Sequence, residues 1–240
     1  MKASRRAGER GFSLLELMVA MAILSMILLG AALALNGTND VAVLEATRNE
    51  MERSSQNALD RMALELRDSA AKVITVAANG SSIQFQVPVD LDGKGTILNS
   101  TGAVEYGFLA NGVPTGGTIT YRFVQNLVAG QPEVLSEAAR RMQLNDDADL
   151  GDRFARGYIL RTTQLTSGAV VSQSILTGRW IVQPEGNWGG DVDGDGAADP
   201  IFQLDGTSGR VLVNLWGMQV DSRKNRHFVR SAAGICFRNK

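Results

Sequence analysis

The most concentrated hydrophobic segment of the chain lies near its N-terminus. Residues 1–11 are polar and basic, whereas residues 12–35 are apolar apart from one charged side chain, Glu16. As a helix, a segment of this length extends about 36 Å, enough to cross a bilayer core of about 30 Å. The basic flank is expected to stay in the cytoplasm, which places the chain that follows the apolar segment on the opposite side of the membrane. The pattern therefore predicts one membrane-spanning helix.

Beyond residue 35 the apolar positions keep a helical spacing, while charged residues occupy the other face. No proline occurs before Pro88, and Asn79-Gly80 supplies a helix stop. We predict an amphipathic continuation of the helix over residues 36–80 that packs against a sheet. Its apolar stripe consists of Leu44, Met51, Leu59, Met62, Leu66 and Val73.

Residues 81–240 change to strand-like alternation interrupted by Gly and Asn, which predicts a β-rich globular domain. A long helix followed by antiparallel strands is an α+β pattern. Residues 133–144 additionally predict a short helix. The predicted strands are 82–89, 103–109, 117–125, 157–165, 169–176, 179–183, 201–204 and 210–221.

The N-terminal segment allows two ordinary interpretations. A cleaved secretory signal would use Ala32-Leu33-Ala34 as its cut site, but the apolar run exceeds the usual length of about 7–15 residues. A plain signal anchor explains the length but not Glu16, because a carboxylate at the bilayer centre costs about 2.5–3.5 kcal/mol on insertion scales.

A third interpretation accounts for both features. The sequence around the start of the apolar run is Gly11-Phe12-Ser13-Leu14-Leu15-Glu16-Leu17. This segment resembles the type IV prepilin signature, which implies that a prepilin peptidase cuts after Gly11 and removes residues 1–11 as a leader. Phe12 then becomes the N-methylated first residue of the mature chain, and residues 12–35 are retained as the transmembrane and assembly helix.

Glu16 is expected to serve assembly. A carboxylate among apolar helices needs a partner, and the amino group of a neighbouring subunit's Phe12 would be a cation at the same end of the helix. Such a pair favours one axial stagger between helices, so Glu16 is predicted to set helix register. The alternative is a Glu16 near the membrane face that extends toward the headgroups.

The resemblance also implies a function and partners. A length of 240 residues fits a minor pilin or pseudopilin, similar to either the J-type minor pseudopilins of type II secretion or the W-type minor pilins of type IV pili. Both remain open. A low-copy subunit near the filament tip is implied, which starts assembly and contacts other minor and major (pseudo)pilins. Its other implied partners are the prepilin peptidase, an inner-membrane assembly platform and a cytoplasmic ATPase. The implied location is the bacterial inner membrane, with the globular domain in the periplasm.

Composition supports a structural function. The chain has 24 Lys+Arg against 25 Asp+Glu, and loss of the leader leaves 20 against 24, a charge of −4. Such a balance does not favour nucleic-acid binding. One cysteine and one histidine exclude an internal disulfide and a multi-histidine metal centre. We expect His227 to be solvated and Cys236 to be a buried strand residue. No nucleophile or nucleotide motif is present, so no enzymatic activity is expected.

A second chemical feature is the acidic loop over residues 191–199. Its carboxylates occupy loop positions 1, 3, 5 and 9, with Gly at position 6, which matches most of the calcium loop D-x-D-x-D-G. Phe202 stands at position 12, where an EF-hand supplies a bidentate Glu, and the flanks predict strands, so this is not an EF-hand. The predicted Ca²⁺ ligands are Asp191, Asp193, Asp195, the carbonyl of Ala197, and Asp199. A solvated acidic turn is the alternative.

Two weaker acidic groups are interpreted as plain turns. They are Asp90-Leu91-Asp92-Gly93 and the stretch 146–152. Two other classes of function stay open: a membrane-anchored, calcium-dependent adhesin or binding module, and a periplasmic enzyme with an atypical anchor.

Overall fold

The computed structural model describes residues 13–125, 154–178, 180–184, 198–205, 208–220 and 226–237. The predicted helix at 133–144 and the loop residues 191–197 lie outside these ranges. The chain divides into two units, Met1–Ala46 and Thr47–Lys240.

The first element is the long helix α1 (Leu14–Arg67). Its stretch Leu14–Leu35 is long and apolar enough to cross a membrane, and none of it is buried within the protein. In a water-soluble fold such a surface would be covered by other elements, so this stretch needs lipid or another apolar helix as its neighbour.

Helix α1 ends at Arg67, earlier than the predicted stop at Asn79-Gly80. The Ser69 backbone N–H donates to the Leu66 carbonyl in a tight final turn, and the Ser69 hydroxyl donates to the Gln86 carbonyl at 2.6 Å. After a short 3-10 helix (Ala71–Val73), β-branched residues form the first strand, which suits their side-chain preference.

Asn79-Gly80 is therefore a hairpin turn between the first two strands and not a helix cap. Gly80 has a φ of +64°, and a Cβ there would lie 2.3 Å from the Cβ of Pro200, so both the backbone conformation and the space require glycine. An Asn-Gly pair serves a tight turn as readily as a helix end, which is why the sequence pattern permitted both.

Two antiparallel sheets follow. The larger sheet has the order β1-β2-β6-β7-β9-β11-β10, with β12 paired to β11 and β8 paired to β7. The smaller sheet is β3-β4-β5. The strands are β1 (Thr75–Val76), β2 (Ser82–Phe85), β3 (Val87–Pro88), β4 (Tyr106–Ala110), β5 (Val113–Thr115), β6 (Gly117–Gln125), β7 (Phe154–Leu165), β8 (Val170–Ile175), β9 (Ile181–Pro184), β10 (Phe202–Asp205), β11 (Arg210–Val220) and β12 (Arg226–Cys236).

The α+β prediction is confirmed, but the strand pattern differs from the prediction. Strands β1 and β5 were not predicted. The predicted strand 82–89 divides into β2 and β3, which belong to different sheets. Strand β12 was predicted only through the expectation that Cys236 lies in a strand, and it pairs with β11 along its whole length.

The predicted burial of Cys236 is wrong, because its neighbours Ile235 and Phe237 face the core while Cys236 is exposed. Alternation along a strand places adjacent residues on opposite faces, so the buried pair requires the residue between them to face outward. His227 is exposed, as expected of a solvated residue.

The core lies between the later part of α1 and the larger sheet. The predicted apolar stripe is buried at Met51, Leu59, Met62 and Leu66, while Val73 is half-buried in the 3-10 helix. The largest sheet residues packed into this core are Phe85, Phe108, Tyr121 and Phe202. The helical period of the sequence therefore located the face that packs on the sheet.

Candidate functional site

The predicted processing site lies at the edge of what the structure describes. Gly11 and Phe12 lie outside the described residues, and Ser13 is the first residue within them. Cleavage after Gly11 and methylation of Phe12 therefore remain predictions.

Ser13 and Glu16 form a reciprocal capping box at the start of α1. The Ser13 backbone N–H donates to Glu16 Oε2 at 3.0 Å, and the Glu16 backbone N–H donates to Ser13 Oγ at 3.1 Å. The two bonds satisfy two of the N–H groups that a helix N-terminus leaves without partners. The spacing Ser-x-x-Glu was a sequence signal for this cap, and the prediction of an assembly role for Glu16 had not used it.

The cap gives the Glu16 carboxylate a defined position and leaves it accessible to other molecules. Both residues are exposed, and among the described residues no donor is found for Glu16 Oε1. The carboxylate is therefore held by one oxygen at the N-terminal, electropositive end of the helix. A cation from another molecule has access to the other oxygen.

A second carboxylate of α1, Glu65, has a different environment. Tyr121 on β6 donates its hydroxyl to Glu65 Oε2 at 2.7 Å, and Arg161 on β7 places its Nε at 3.1 Å from Oε1 and 3.0 Å from Oε2. Arg61, one helical turn earlier, lies at 3.5 Å. The side chains of Glu65 and Arg161 are only 22% and 13% exposed.

This Glu65 cluster connects the helix to two neighbouring strands. Burial raises the pKa of the Tyr121 hydroxyl, and the adjacent Glu65 charge raises it further, so Tyr121 remains a proton donor. The sequence pattern predicts that Glu65 lies on the charged face of the helix. Within the helix sequence, only Arg61, four residues earlier, indicated a cation that could pair with it. The contacts to Tyr121 and Arg161 span 56 and 96 residues and depend on the fold.

The predicted calcium loop is described only at its end. Asp199 is half-buried, and residues 191–197 lie outside the described ranges. Their ligand geometry stays a prediction.

A different acidic group is brought together by the fold. The carboxylate oxygens of Asp90, Asp92 and Glu105 lie within 4.8 Å of one another, a spacing that a metal ion can bridge. They already accept protein donors: the backbone N–H groups of Lys94 and Gly95 bond to Asp90, and those of Leu91 and Asp92 bond to Glu105.

Lys94 provides the cation for this turn. Its Nζ contacts Asp92 Oδ2, and the Lys94 side-chain hydrogen bond lowers the pKa of Asp92 while the same contact raises the pKa of Lys94. The geometry fits the turn predicted for residues 90–93. Glu105, distant in sequence, is the member of this group that the sequence pattern did not indicate.

The comparisons with known proteins address the N-terminal segment. The family model described as the prokaryotic N-terminal methylation motif matches residues 6–32. Searches of curated proteins and of solved structures found no match to this chain. The motif and the apolar helix together support a type IV pilin-like protein anchored in a membrane. The motif family is structural and not enzymatic.

Proposed function

We propose that this chain is a minor pilin or pseudopilin, a subunit of a type IV pilus or of the pseudopilus of type II secretion. The observation that carries this proposal is the methylation motif at residues 6–32 directly overlapping a membrane-length helix that is uncovered within the protein. A helix of this kind needs apolar neighbours, and a filament of packed helices supplies them after the subunit leaves the bilayer.

The proposed life of the subunit has two stages. Before assembly it is held in the bacterial inner membrane by residues 12–35, with residues 81–240 in the periplasm. A prepilin peptidase removes residues 1–11, and the assembly platform moves the processed chain into a filament with other minor and major subunits. We place it near the tip, where it helps to start assembly.

Glu16 carries the assembly contact in this proposal. Its capping bond to Ser13 occupies Oε2, so the contact with the amino group of a neighbouring subunit's Phe12 would use the remaining oxygen. A charge-assisted bond of this kind in an apolar helix bundle fixes both distance and direction. That is the property a filament needs to keep one axial stagger.

The direct test of processing is the N-terminus of the mature protein. Intact-mass and N-terminal peptide analysis of the full chain from its native membrane should show a chain that begins at N-methylated Phe12. Gly11→Val should retain the leader, because a branched side chain would stand at the cut site, whereas Ala7→Val, also in the leader, should leave processing intact. A native chain that keeps residues 1–11 would contradict the proposal.

We also propose that the loop at residues 191–199 binds Ca²⁺ through Asp191, Asp193, Asp195, Ala197 and Asp199. Alternating carboxylates direct several oxygens toward one centre, and this type of loop in extracellular modules binds at about 10⁻⁴–10⁻³ M. The full chain should melt at a higher temperature in millimolar Ca²⁺, and Asp193→Ala with Asp195→Ala should abolish the increase. Asp90→Ala with Asp92→Ala is the matched control and should retain it. If the melting temperature of the unmodified chain does not change with Ca²⁺, the loop is a solvated acidic turn and the proposed calcium site is wrong.

A further inference from the structure

We propose that strand β8 is a docking edge at which a second copy of this chain adds its own β8. One edge of β8 pairs with β7, from Leu160↔Ile175 to Gln164↔Val170. Among the strands that the structure describes, none pairs with its other edge. A strand edge of this kind presents backbone donors and acceptors that another extended strand can satisfy.

Strand β8 exposes three large apolar side chains. Val170 and Ile175 are each 52% exposed, and Val171 is 41% exposed. Single exposed apolar residues are common, but three on one free edge strand form a surface whose covering would be favourable. A strand partner would cover these side chains and the free backbone groups together.

The edge also carries neither a charged residue nor a proline, two of the features that usually prevent strand pairing. Residues 162–178 contain no charged side chain, although 20% of the whole chain is charged. Natural free edges are commonly protected by Lys, Pro or a bulge. Here a register shift occurs near the hairpin turn, between Thr163 and Gln164, and residues 172–175 retain regular pairing.

The register identifies the backbone groups that face outward. The Leu176 N–H donates to the Ile159 carbonyl, and the Ile159 N–H donates to the Thr177 hydroxyl, so Leu176 directs its backbone groups toward β7. Because hydrogen-bonded pairs alternate along an antiparallel ladder, Ser172 and Ser174 direct their backbone groups to β7. Gln173 and Ile175 therefore direct theirs to the free edge.

These features favour a second copy as the partner. An antiparallel pair related by a two-fold axis through Gln173 places identical uncharged strands together, so no like charges oppose each other. The free N–H and C=O of Gln173 would exchange bonds with those of the second Gln173. The contact is short, and membrane anchoring of both copies would strengthen it by raising their effective concentration. This inference does not rest on filament assembly.

The first test is site-specific cross-linking of the full chain in its membrane. Cys236→Ser removes the native thiol, and Gln173→Cys then places one thiol at the proposed axis. Opposed residues of a hydrogen-bonded pair have Cα atoms about 5.5 Å apart, within the disulfide range of about 4.4–6.8 Å. Mild oxidation should give a dimer joined through position 173, at a severalfold higher yield than Gln203→Cys, an exposed position on β10 in the same background. Equal yields, or cross-linking only to a different protein, would overturn the proposal.

A charge-swap experiment tests the pairing itself. Two differently tagged full chains should co-purify from detergent, and Gln173→Lys in both should reduce their co-purification because two lysines would oppose each other. Gln173→Lys in one chain with Gln173→Glu in the other should restore it. Unchanged melting temperatures would show that the variants fold. Full co-purification of the double-lysine pair, or no recovery in the Lys–Glu pair, would refute a Gln173 axis.

Discussion

Helix α1 carries two carboxylates, Glu16 and Glu65, whose surroundings differ in kind. Glu65 is largely buried and bonded by Tyr121 and Arg161 of its own chain. Glu16 is exposed, and its bond partner among the described residues is the capping residue Ser13. The free-energy cost of burying a charge is thus met within the fold at Glu65, whereas at Glu16 it would be met only when another subunit supplies a cation. The comparison separates a residue that completes a fold from one available for assembly.

The largest expected effect comes from removing the charge of Glu16. Glu16→Gln should prevent incorporation into filaments, since the neutral amide can still cap the helix but cannot form an ion pair with an ammonium group. Processing should persist in this variant. The measurement is the fraction of mature chain recovered in sheared filaments relative to membranes.

Glu16→Ala serves as the comparison for that experiment, because it loses both the charge and the cap. A similar loss of filament incorporation in both variants would show that the effect comes from the charge of Glu16. If Glu16→Gln enters filaments normally, the register function of Glu16 is wrong and its role is limited to capping.

The next effect concerns the Glu65 cluster. Arg161→Met should lower the free energy of unfolding of the full chain in detergent by about 3 kcal/mol, because it leaves a mostly buried carboxylate with only the half-exposed Arg61 as its cation. Chemical denaturation followed by tryptophan fluorescence measures this change. Arg122→Met is the matched control, an arginine on the neighbouring strand that is exposed.

Tyr121→Phe should have a smaller effect, about 1.5 kcal/mol, because Glu65 keeps its bonds to Arg161. If Glu65→Gln on the Arg161→Met background restores stability, the cost arises from the charge of Glu65 that Arg161 no longer balances. Equal stability of Arg161→Met and the native chain would contradict the importance of this cluster.

The smallest effect is expected at the cap. Ser13→Ala should cost about 1 kcal/mol of helix stability and loosen the Glu16 carboxylate, whereas Ser13→Thr should preserve both. Amide hydrogen exchange over the first turn of α1 measures the loss. Unchanged exchange in the alanine variant would show that the capping bonds contribute little in the membrane-embedded protein.

Much of this structure could be predicted from local sequence patterns. The apolar run, the stripe through Met51, Leu59, Met62 and Leu66, and the hairpin of β7 and β8 follow from periodicities of 3.6 and 2.0, which neighbouring residues alone define. The Ser13–Glu16 cap was also visible as a spacing of three. These features could be predicted because each depends on residues close together along the chain.

Tertiary structure decided the rest. The end of α1 at Arg67 and the use of Asn79-Gly80 as a hairpin turn depend on packing against Pro200 and Gln86, which no local pattern contains. The partners of Glu65 and the place of Glu105 beside Asp90 and Asp92 likewise join distant segments. A charged side chain on an amphipathic helix looks the same in sequence whether it meets water or a buried arginine, because only the fold sets which strand lies opposite.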